Sequence, residues 1–236
     1  MSNFFKKLLL GNVTQKNKPR FNPIERRLLN IKAIWNNDHQ DDNGIEKIVR
    51  LLLSISQLFF PGVYIKYLAD KIDFAYQDLA MDFYIIAKVI FPVIILKYNY
   101  QSYDWAIYIL IYLLLETILY IPTLIFASDV FTRPRSYKRS MFMLFFNYIE
   151  TICSFGVLYS LGNNLNQKVT HWYDYIYFSL VCSNSIGFGD FYPINLYGKV
   201  LASIQAMFFL SFVILFLNFF SKTIKSKGYF DNENES

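Results

Sequence analysis

The sequence predicts an all-α transmembrane protein with four membrane spans per subunit. Of its 236 residues, 54% are hydrophobic and only 17% are charged, whereas soluble domains usually carry about 25% charged residues. The mean hydropathy is +0.26, and the apolar residues collect in runs of about 20, the length a helix needs to cross a bilayer. This composition argues against a soluble enzyme and against a disordered chain.

Four apolar segments qualify as spans: residues 83–97, 105–127, 141–161 and 200–220. The first is short unless it begins near Phe74. A fifth stretch, residues 48–68, has the length but contains Arg50, Lys66 and the Pro61-Gly62 pair, which interrupts helices. For this stretch we favour a helix at the cytoplasmic interface, broken at Pro61, over a fifth span.

The basic residues predict the orientation, because cytoplasmic loops are enriched in Lys and Arg. Residues 1–50 hold ten Lys or Arg. The link between the second and third spans holds four basic residues, Arg133, Arg135, Lys138 and Arg139. The tail holds three, Lys222, Lys225 and Lys227. Four spans with both termini in the cytoplasm place all three basic regions on one side. The four basic residues of the link are also expected to contact anionic lipids.

The segment between the third and fourth spans differs from an ordinary loop. Thr170 is a candidate cap for an aromatic and apolar helix of about four turns that ends near Ser183 and is too short to cross the bilayer. It is followed directly by the residues Ser185, Ile186, Gly187, Phe188, Gly189 and Asp190. Backbone that enters a membrane and returns must have its carbonyls buried in protein or directed at water or ions.

The two alternating glycines indicate how such backbone can act. Gly187 and Gly189 can adopt dihedrals that other residues avoid, so successive carbonyls can turn toward one side. Four copies around an axis would form stacked rings of carbonyl oxygens, with the Ser185 hydroxyls at the inner end and Ile186 and Phe188 packed behind. Such rings replace the hydration shell of a monovalent cation. Each chain has one such segment, so a closed ring needs about four chains.

This segment resembles the selectivity filter of the potassium channel family, whose signature is Thr-Val-Gly-Tyr-Gly-Asp. The resemblance covers residues 141–220 and implies a two-span pore module with a re-entrant pore loop, assembled as a homotetramer. It implies K⁺ sites at Ser185, Ile186, Gly187 and Phe188. Ser185 in place of Thr and Phe188 in place of Tyr are compatible with potassium selectivity but can loosen it.

The resemblance also implies supporting roles around the filter. Asp190 is expected at the outer mouth, where Tyr177 donates a hydrogen bond to it, and Asn184 stands where a second Thr is common. The chain then divides into a basic cytoplasmic or interfacial region (1–80), two peripheral spans with their basic link (81–140), a pore domain (141–221) and a short cytoplasmic tail (222–236).

The expected function is passive conduction of K⁺ across a plasma or bacterial inner membrane. We expect no enzymatic activity, no cofactor besides the permeant K⁺ and no nucleic-acid partner. Two alternatives stay open: a weakly selective monovalent cation channel, and a non-conducting accessory membrane subunit. A membrane enzyme would need a nucleophile, an acid–base pair or a metal cluster, and the sequence has no pattern of that kind.

Three charged residues, Lys88, Glu116 and Glu150, fall within spans, where each costs several kcal/mol unless it is paired or hydrated. The favoured interpretation is that Lys88 neutralises one glutamate while the other is protonated. The alternatives are a proton- or voltage-sensitive gate, or side chains that reach water. No span has arginines at every third position, which argues against a conventional voltage sensor.

Overall fold

The computed structural model describes residues 21–130, 137–162 and 164–225, and their regular structure is helical apart from one isolated β-bridge between Leu165 and Pro193. The helices are α1 (Pro23–Asn36), α2 (Gly44–Ser56), α3 (Pro61–Ile72), α4 (Tyr76–Lys97), α5 (Asp104–Phe126), α6 (Tyr137–Ser160), α7 (Trp172–Ser183) and α8 (Leu196–Lys225). Two 3₁₀ turns, Gln57–Phe59 and Tyr100–Ser102, connect neighbouring helices. The predicted all-α class is therefore confirmed.

Within the described residues, four helices are long and apolar enough to cross a membrane, as the sequence predicts. These spans are Tyr76–Lys97, Asp104–Phe126, Lys138–Ser160 and Leu196–Asn218. The first span begins at Tyr76, earlier than the predicted residue 83. Asp78 and Asp82 lower the hydropathy of this part of the sequence, but they do not interrupt the helix. The stretch 48–68 forms two helices, Gly44–Phe59 and Pro61–Ile72, that meet at a bend of 56°.

The chain divides into two compact units. Among the described residues, the first contains 21–88 together with 115–130, and the second contains 89–114 together with 137–162 and 164–225. Helices α4 and α5 therefore contribute one part to each unit.

In the first unit, α1 packs against α2 and α3. Its start is fixed by a capping box, in which Asn22 accepts a hydrogen bond from the backbone N–H of Glu25 and the Glu25 carboxylate accepts one from Asn22. Ile34, near the end of α1, forms an apolar core with Ala127 and Val130. This core holds the segment that follows α5 against the N-terminal helices.

The same segment is also held by a buried charge cluster. The guanidinium of Arg50, on α2, is 1% exposed and forms ion pairs with Asp42 and Asp129. Removing one partner of a buried ion pair typically costs about 3–5 kcal/mol, because the remaining charge is left uncompensated. Arg50 therefore ties α2 to the residues just beyond the end of α5.

In the second unit, α6 packs against α7 and α8, and α7 packs against α8. Gly156 on α6 faces the backbone of α7: a Cβ added there would lie 3.3 Å from Cα of Ile176. This glycine lets the two helices approach closely, as small residues commonly do between membrane helices.

Replacing Gly156 with leucine is expected to destabilise the second unit, since the added side chain has no space beside Ile176. Overpacking of this kind typically costs about 1–3 kcal/mol. The measurement is the midpoint of thermal unfolding in detergent. Phe142→Leu, at an exposed position on the same helix, is the matched control and should leave the midpoint nearly unchanged. Equal midpoints for both variants would contradict close packing at Gly156.

Candidate functional site

The short helix α7 supports the segment that carries the glycine motif. It has 12 residues, about 18 Å of helix, so it is too short to cross a bilayer. The helix begins at Trp172 with His171 as its cap residue, and the Asp174 carboxylate accepts a hydrogen bond from the His171 backbone N–H at 3.0 Å. Thr170, the cap predicted from the sequence, instead lies with its hydroxyl 3.4 Å from that carboxylate.

After α7, every second residue of the segment 185–189 has a left-handed backbone. The φ angles are 54° at Ser185, 59° at Gly187 and 82° at Gly189. Glycine adopts this conformation readily, whereas a serine there stores about 1–3 kcal/mol of strain. In ordinary extended backbone, neighbouring carbonyls point to opposite sides. Left-handed backbone conformations at every second residue allow successive carbonyls to face the same side.

This segment has a free surface in the single chain. A Cβ added at Gly187 or Gly189 would meet no atom within 4 Å. The side chains of Ile186 and Phe188 are 54% and 68% exposed. Apolar side chains and bare backbone are therefore both open on this surface.

Behind the segment lies a buried node of hydrogen bonds centred on Gln205 of α8. Its amide nitrogen donates to the Ser179 hydroxyl at 2.7 Å, to the Ser179 carbonyl at 3.0 Å and to the Ser183 hydroxyl at 2.6 Å. Its amide oxygen accepts a hydrogen bond from the Tyr159 hydroxyl of α6 at 2.9 Å. Gln205 is 1% exposed, so these bonds form away from water. They join three helices at one residue.

Two further bonds attach the C-terminal half of α7 to α6. The Ser179 hydroxyl donates to the Ile152 carbonyl at 2.7 Å. The Tyr148 hydroxyl donates to the side-chain oxygen of Asn184, the residue immediately before Ser185, at 3.0 Å. Asn184 also donates to the Leu180 carbonyl at 2.9 Å. The entrance to the 185–189 segment is therefore fixed by α6 and by α7 itself.

The exit from the segment is fixed by the chain that precedes α7. The side-chain amides of Asn166 and Gln167 each donate to the Asp190 carbonyl at 3.0 Å. The backbone N–H of Tyr192 donates to the Asn166 side chain at 2.9 Å. The Ile194 N–H donates to the Asn164 carbonyl at 2.9 Å.

The Asp190 side chain forms a hydrogen bond with the Tyr177 hydroxyl, which lowers the pKa of Asp190 from its ordinary value and raises that of Tyr177. A hydrogen bond to the ionised carboxylate favours its charged form. The Tyr177 ring also packs edge-on against Phe191, with ring centroids 6.2 Å apart. Asp190 thus carries its negative charge at the end of the segment.

Among the three intramembrane charges, Lys88 and Glu116 meet within the first unit. The Lys88 ammonium lies 3.4 Å from the Glu116 carboxylate and donates to the Thr117 hydroxyl at 2.6 Å. The Tyr84 hydroxyl and the backbone N–H of Gly62 also donate to Glu116. Glu150 belongs to the second unit, where it is 1% exposed and the Ser154 hydroxyl is 3.4 Å from its carboxylate.

The structure describes only part of the basic link between α5 and α6. Arg133 and Arg135 lie outside the described residues, while Lys138 and Arg139 occupy the first turn of α6. The tail beyond residue 225 also lies outside them. Within the described part of the chain, no group of three or more His, Cys, Asp or Glu side chains is arranged to hold a metal ion.

The sequence motifs do not identify the residues that hold the segment in place, namely Tyr148, Tyr159, Asn164, Asn166, Gln167, Ser179, Ser183 and Gln205. Gln205 carried a usable signal, because an amide within an apolar span needs a partner inside the protein. The loop residues Asn166 and Gln167 carried none, since polar side chains are ordinary in a loop.

More than half of the chain resembles a known protein family. A family model described as "Ion channel" matches residues 81–226, which is more than half of the chain. The match includes α7 and the whole of the 185–189 segment and leaves α1–α3 outside. No curated protein and no solved structure matches the chain.

Gln205→Leu is expected to lower the free energy of unfolding by about 1–3 kcal/mol, because it removes the partners of Ser179, Ser183 and Tyr159 in a buried site. Thermal unfolding in detergent is the measurement. Met207→Leu places the same residue at an exposed position of α8 and should leave the unfolding midpoint in place. A Gln205→Leu variant as stable as Met207→Leu would mean that the node contributes little.

Proposed function

The chain belongs to the ion channel family, and we propose that it is the subunit of a homotetrameric, potassium-selective channel that conducts K⁺ passively through the carbonyls of residues 185–189. The observation that carries this proposal is the alternation of left-handed residues at Ser185, Gly187 and Gly189. Membership of an ion channel family favours conduction over catalysis, and four apolar helices make the chain a multi-pass membrane protein.

In the proposed assembly, the carbonyls of Ser185, Ile186, Gly187 and Phe188 form rings that replace the hydration shell of K⁺, and the ions move by repulsion between adjacent sites. No resident cofactor takes part. The strain at Ser185 has a purpose in this arrangement, because its backbone turns the first carbonyl of the series toward the axis. Asn184 and the Gln205 node hold the rings at a fixed diameter.

The surface that a single chain leaves open supports the proposed tetramer. Ile186 and Phe188 are more than half exposed, and burying such side chains removes apolar area from water at about 25 cal/mol per Å². In a ring of four chains, these side chains would pack against neighbouring subunits while the bare backbone at Gly187 and Gly189 faces the ions.

Asp190 has a role at the outer mouth of the proposed pore. Its carboxylate, held by Tyr177, attracts cations to the entrance, and its carbonyl is held by Asn166 and Gln167. By the distribution of basic residues, both termini lie in the cytoplasm and the outer mouth faces the opposite side. Anionic lipids are proposed to contact the basic link, Arg133, Arg135, Lys138 and Arg139.

A weakly selective cation channel is the second candidate, and two residues favour it. Ser185 lacks the methyl group with which the usual Thr packs at the inner site. Phe188 lacks the hydroxyl with which the usual Tyr can brace the filter against the pore helix. The same fold without conduction would be an accessory subunit.

Flux from liposomes that contain the purified protein distinguishes these candidates. We expect K⁺ flux well above Na⁺ flux, and we expect Gly187→Asp to abolish it, since a side chain and a charge would enter the row of carbonyls. Gly162→Asp is the matched control. Gly162 also has a left-handed φ, 83°, and open space around it, but it lies outside the filter and its variant should conduct normally.

Equal K⁺ and Na⁺ fluxes that Gly187→Asp abolishes would replace potassium selectivity with weak cation selectivity. If neither ion flows, conduction by this chain alone is contradicted, although the fold is not. The next step would then be a search for a partner subunit.

The Asp190–Tyr177 pair gives a pH prediction. Its hydrogen bond lowers the pKa of Asp190, so the carboxylate stays charged in acid until the pH falls through that lowered value. Tyr177→Phe removes the bond and raises the pKa of Asp190 toward its ordinary value. The acid loss of K⁺ flux should therefore begin at a higher pH in the variant.

The measurement is K⁺ flux as the external pH is lowered from about 6 to 3, around the ordinary pKa of aspartate. Tyr173→Phe, an exposed tyrosine on the same helix, is the control and should follow the unmodified protein. If the unmodified protein, Tyr177→Phe and Tyr173→Phe lose K⁺ flux at the same pH, the charge of Asp190 does not control conduction.

A further inference from the structure

Helix α2 and the 3₁₀ turn after it form one helical segment, Gly44–Phe59, with the opposite polarity to that of a helix in water. One face carries Ile45, Ile48, Leu52 and Phe59 at successive spacings of three, four and seven residues, and these side chains are between 59% and 80% exposed. Its other face carries polar side chains that are buried: Arg50 and Gln57 are 1% and 4% exposed. In water an amphipathic helix buries its apolar stripe instead.

The apolar face continues along α3. Leu68 and Ile72 are 59% and 79% exposed, whereas Val63 and Ala69 are buried. An open apolar groove of about 330 Å³ then joins the end of α3 to the start of α4, lined by Ala69, Ile72, Tyr76, Leu79, Ala80 and Phe83. The exposed apolar surface of the bent pair is therefore continuous with that of a membrane span.

The break between the two helices has its backbone groups satisfied inside the protein. The N–H of Gly62, at the start of α3, donates to the Glu116 carboxylate at 3.1 Å. The carbonyl of Leu58, on the other side of the break, accepts from the Tyr64 hydroxyl at 2.7 Å. A Cβ at residue 62 would lie 2.8 Å from the Glu116 carboxylate, so a larger residue there would displace that carboxylate. Broken helices in membranes require such replacement partners.

Three contacts give the depth of the bent pair, because each joins it to a different level of α5. Arg50 pairs with Asp129, just beyond the end of α5, and Gln57 contacts Thr123 at 3.4 Å, in the last turn of α5. Gly62 then meets Glu116, which lies near the middle of α5. The contacts thus move along α5 from its end to its middle, a length of about 15 Å at 1.5 Å per residue.

The far end of the pair returns to the side from which it entered. Only three residues separate Ile72 from Tyr76, where α4 begins. Since only a short link joins the end of α4 to the start of α5, the start of α4 and the end of α5 lie on the same side of the membrane.

From these observations we propose that Gly44–Ile72 is a re-entrant helix pair embedded in the bilayer, with its apolar outer face against lipid acyl chains and its apex held by Glu116. This replaces the interfacial helix predicted from the sequence with a deeper element. It also gives Glu116 a structural purpose within its span. The proposal depends on the membrane location of the chain and not on its ion selectivity.

Nitroxide labels on single cysteines in the reconstituted protein test the proposal. Cys153→Ala and Cys182→Ala remove the native thiols, and labels are attached through Leu52→Cys, Phe59→Cys and Leu68→Cys. Electron paramagnetic resonance then measures access of oxygen, which concentrates in lipid, and of a nickel chelate, which stays in water. We expect high oxygen and low nickel access at all three positions, with the greatest depth at Phe59→Cys.

Two reference positions calibrate this measurement. Tyr108→Cys, 72% exposed on α5, should report lipid, and Asp38→Cys, in the exposed turn after α1, should report water. High nickel access at the three test positions would overturn the proposal. Low access to both reagents would overturn it too, because it would mean that protein covers this face.

Sidedness is tested separately with a membrane-impermeant thiol reagent applied to oriented vesicles. Asn43→Cys and Lys71→Cys, at exposed polar positions at the two ends of the pair, should react from the same side as Asp38→Cys. Reaction of Asn43→Cys and Lys71→Cys from opposite sides would show a fifth span and overturn the re-entrant arrangement, even if the lipid contacts were correct.

Discussion

A membrane interior supplies no water to buried polar groups, so each of them must find its partner within the protein. In the second unit this constraint is met at Gln205, whose amide joins α6, α7 and α8 through Tyr159, Ser179 and Ser183. An amide has both donors and an acceptor, so one side chain can satisfy several hydroxyl groups. The position of α7, and therefore of the segment that follows it, depends on these bonds.

The same constraint explains why the 185–189 segment is held at both ends. A backbone with alternating left-handed residues makes few bonds within itself, and at Ser185 it is strained. Such strain persists only where the surroundings fix the conformation. Asn184 and Tyr148 hold the entrance, while Asn166 and Gln167 hold the exit. The segment is thus held in one conformation within a single chain, and in the proposed channel this would lower the cost of ordering it on ion binding.

Much of the fold was predictable from the sequence, because span length and hydropathy are properties of single segments. The four spans, the short helix before the glycine motif and the break at Pro61 all follow from local patterns. The partners were not predictable in the same way. That Glu116 would cap the start of α3 depends on two helices distant in sequence, and that Gln205 would face Ser179 depends on how α8 is rotated. The left-handed backbone at Ser185 had no signal either, since serine has no preference for it.

The central claim is that four copies of residues 185–189 surround an axis and coordinate K⁺ through their carbonyls. The most direct test is an experimental structure of the purified assembly with Tl⁺, a K⁺ substitute that scatters X-rays anomalously. The account predicts a fourfold axis with a row of anomalous peaks between the carbonyls of Ser185, Ile186, Gly187 and Phe188. An assembly without that axis, or a segment 185–189 that lies away from it with no ion bound, would contradict the account.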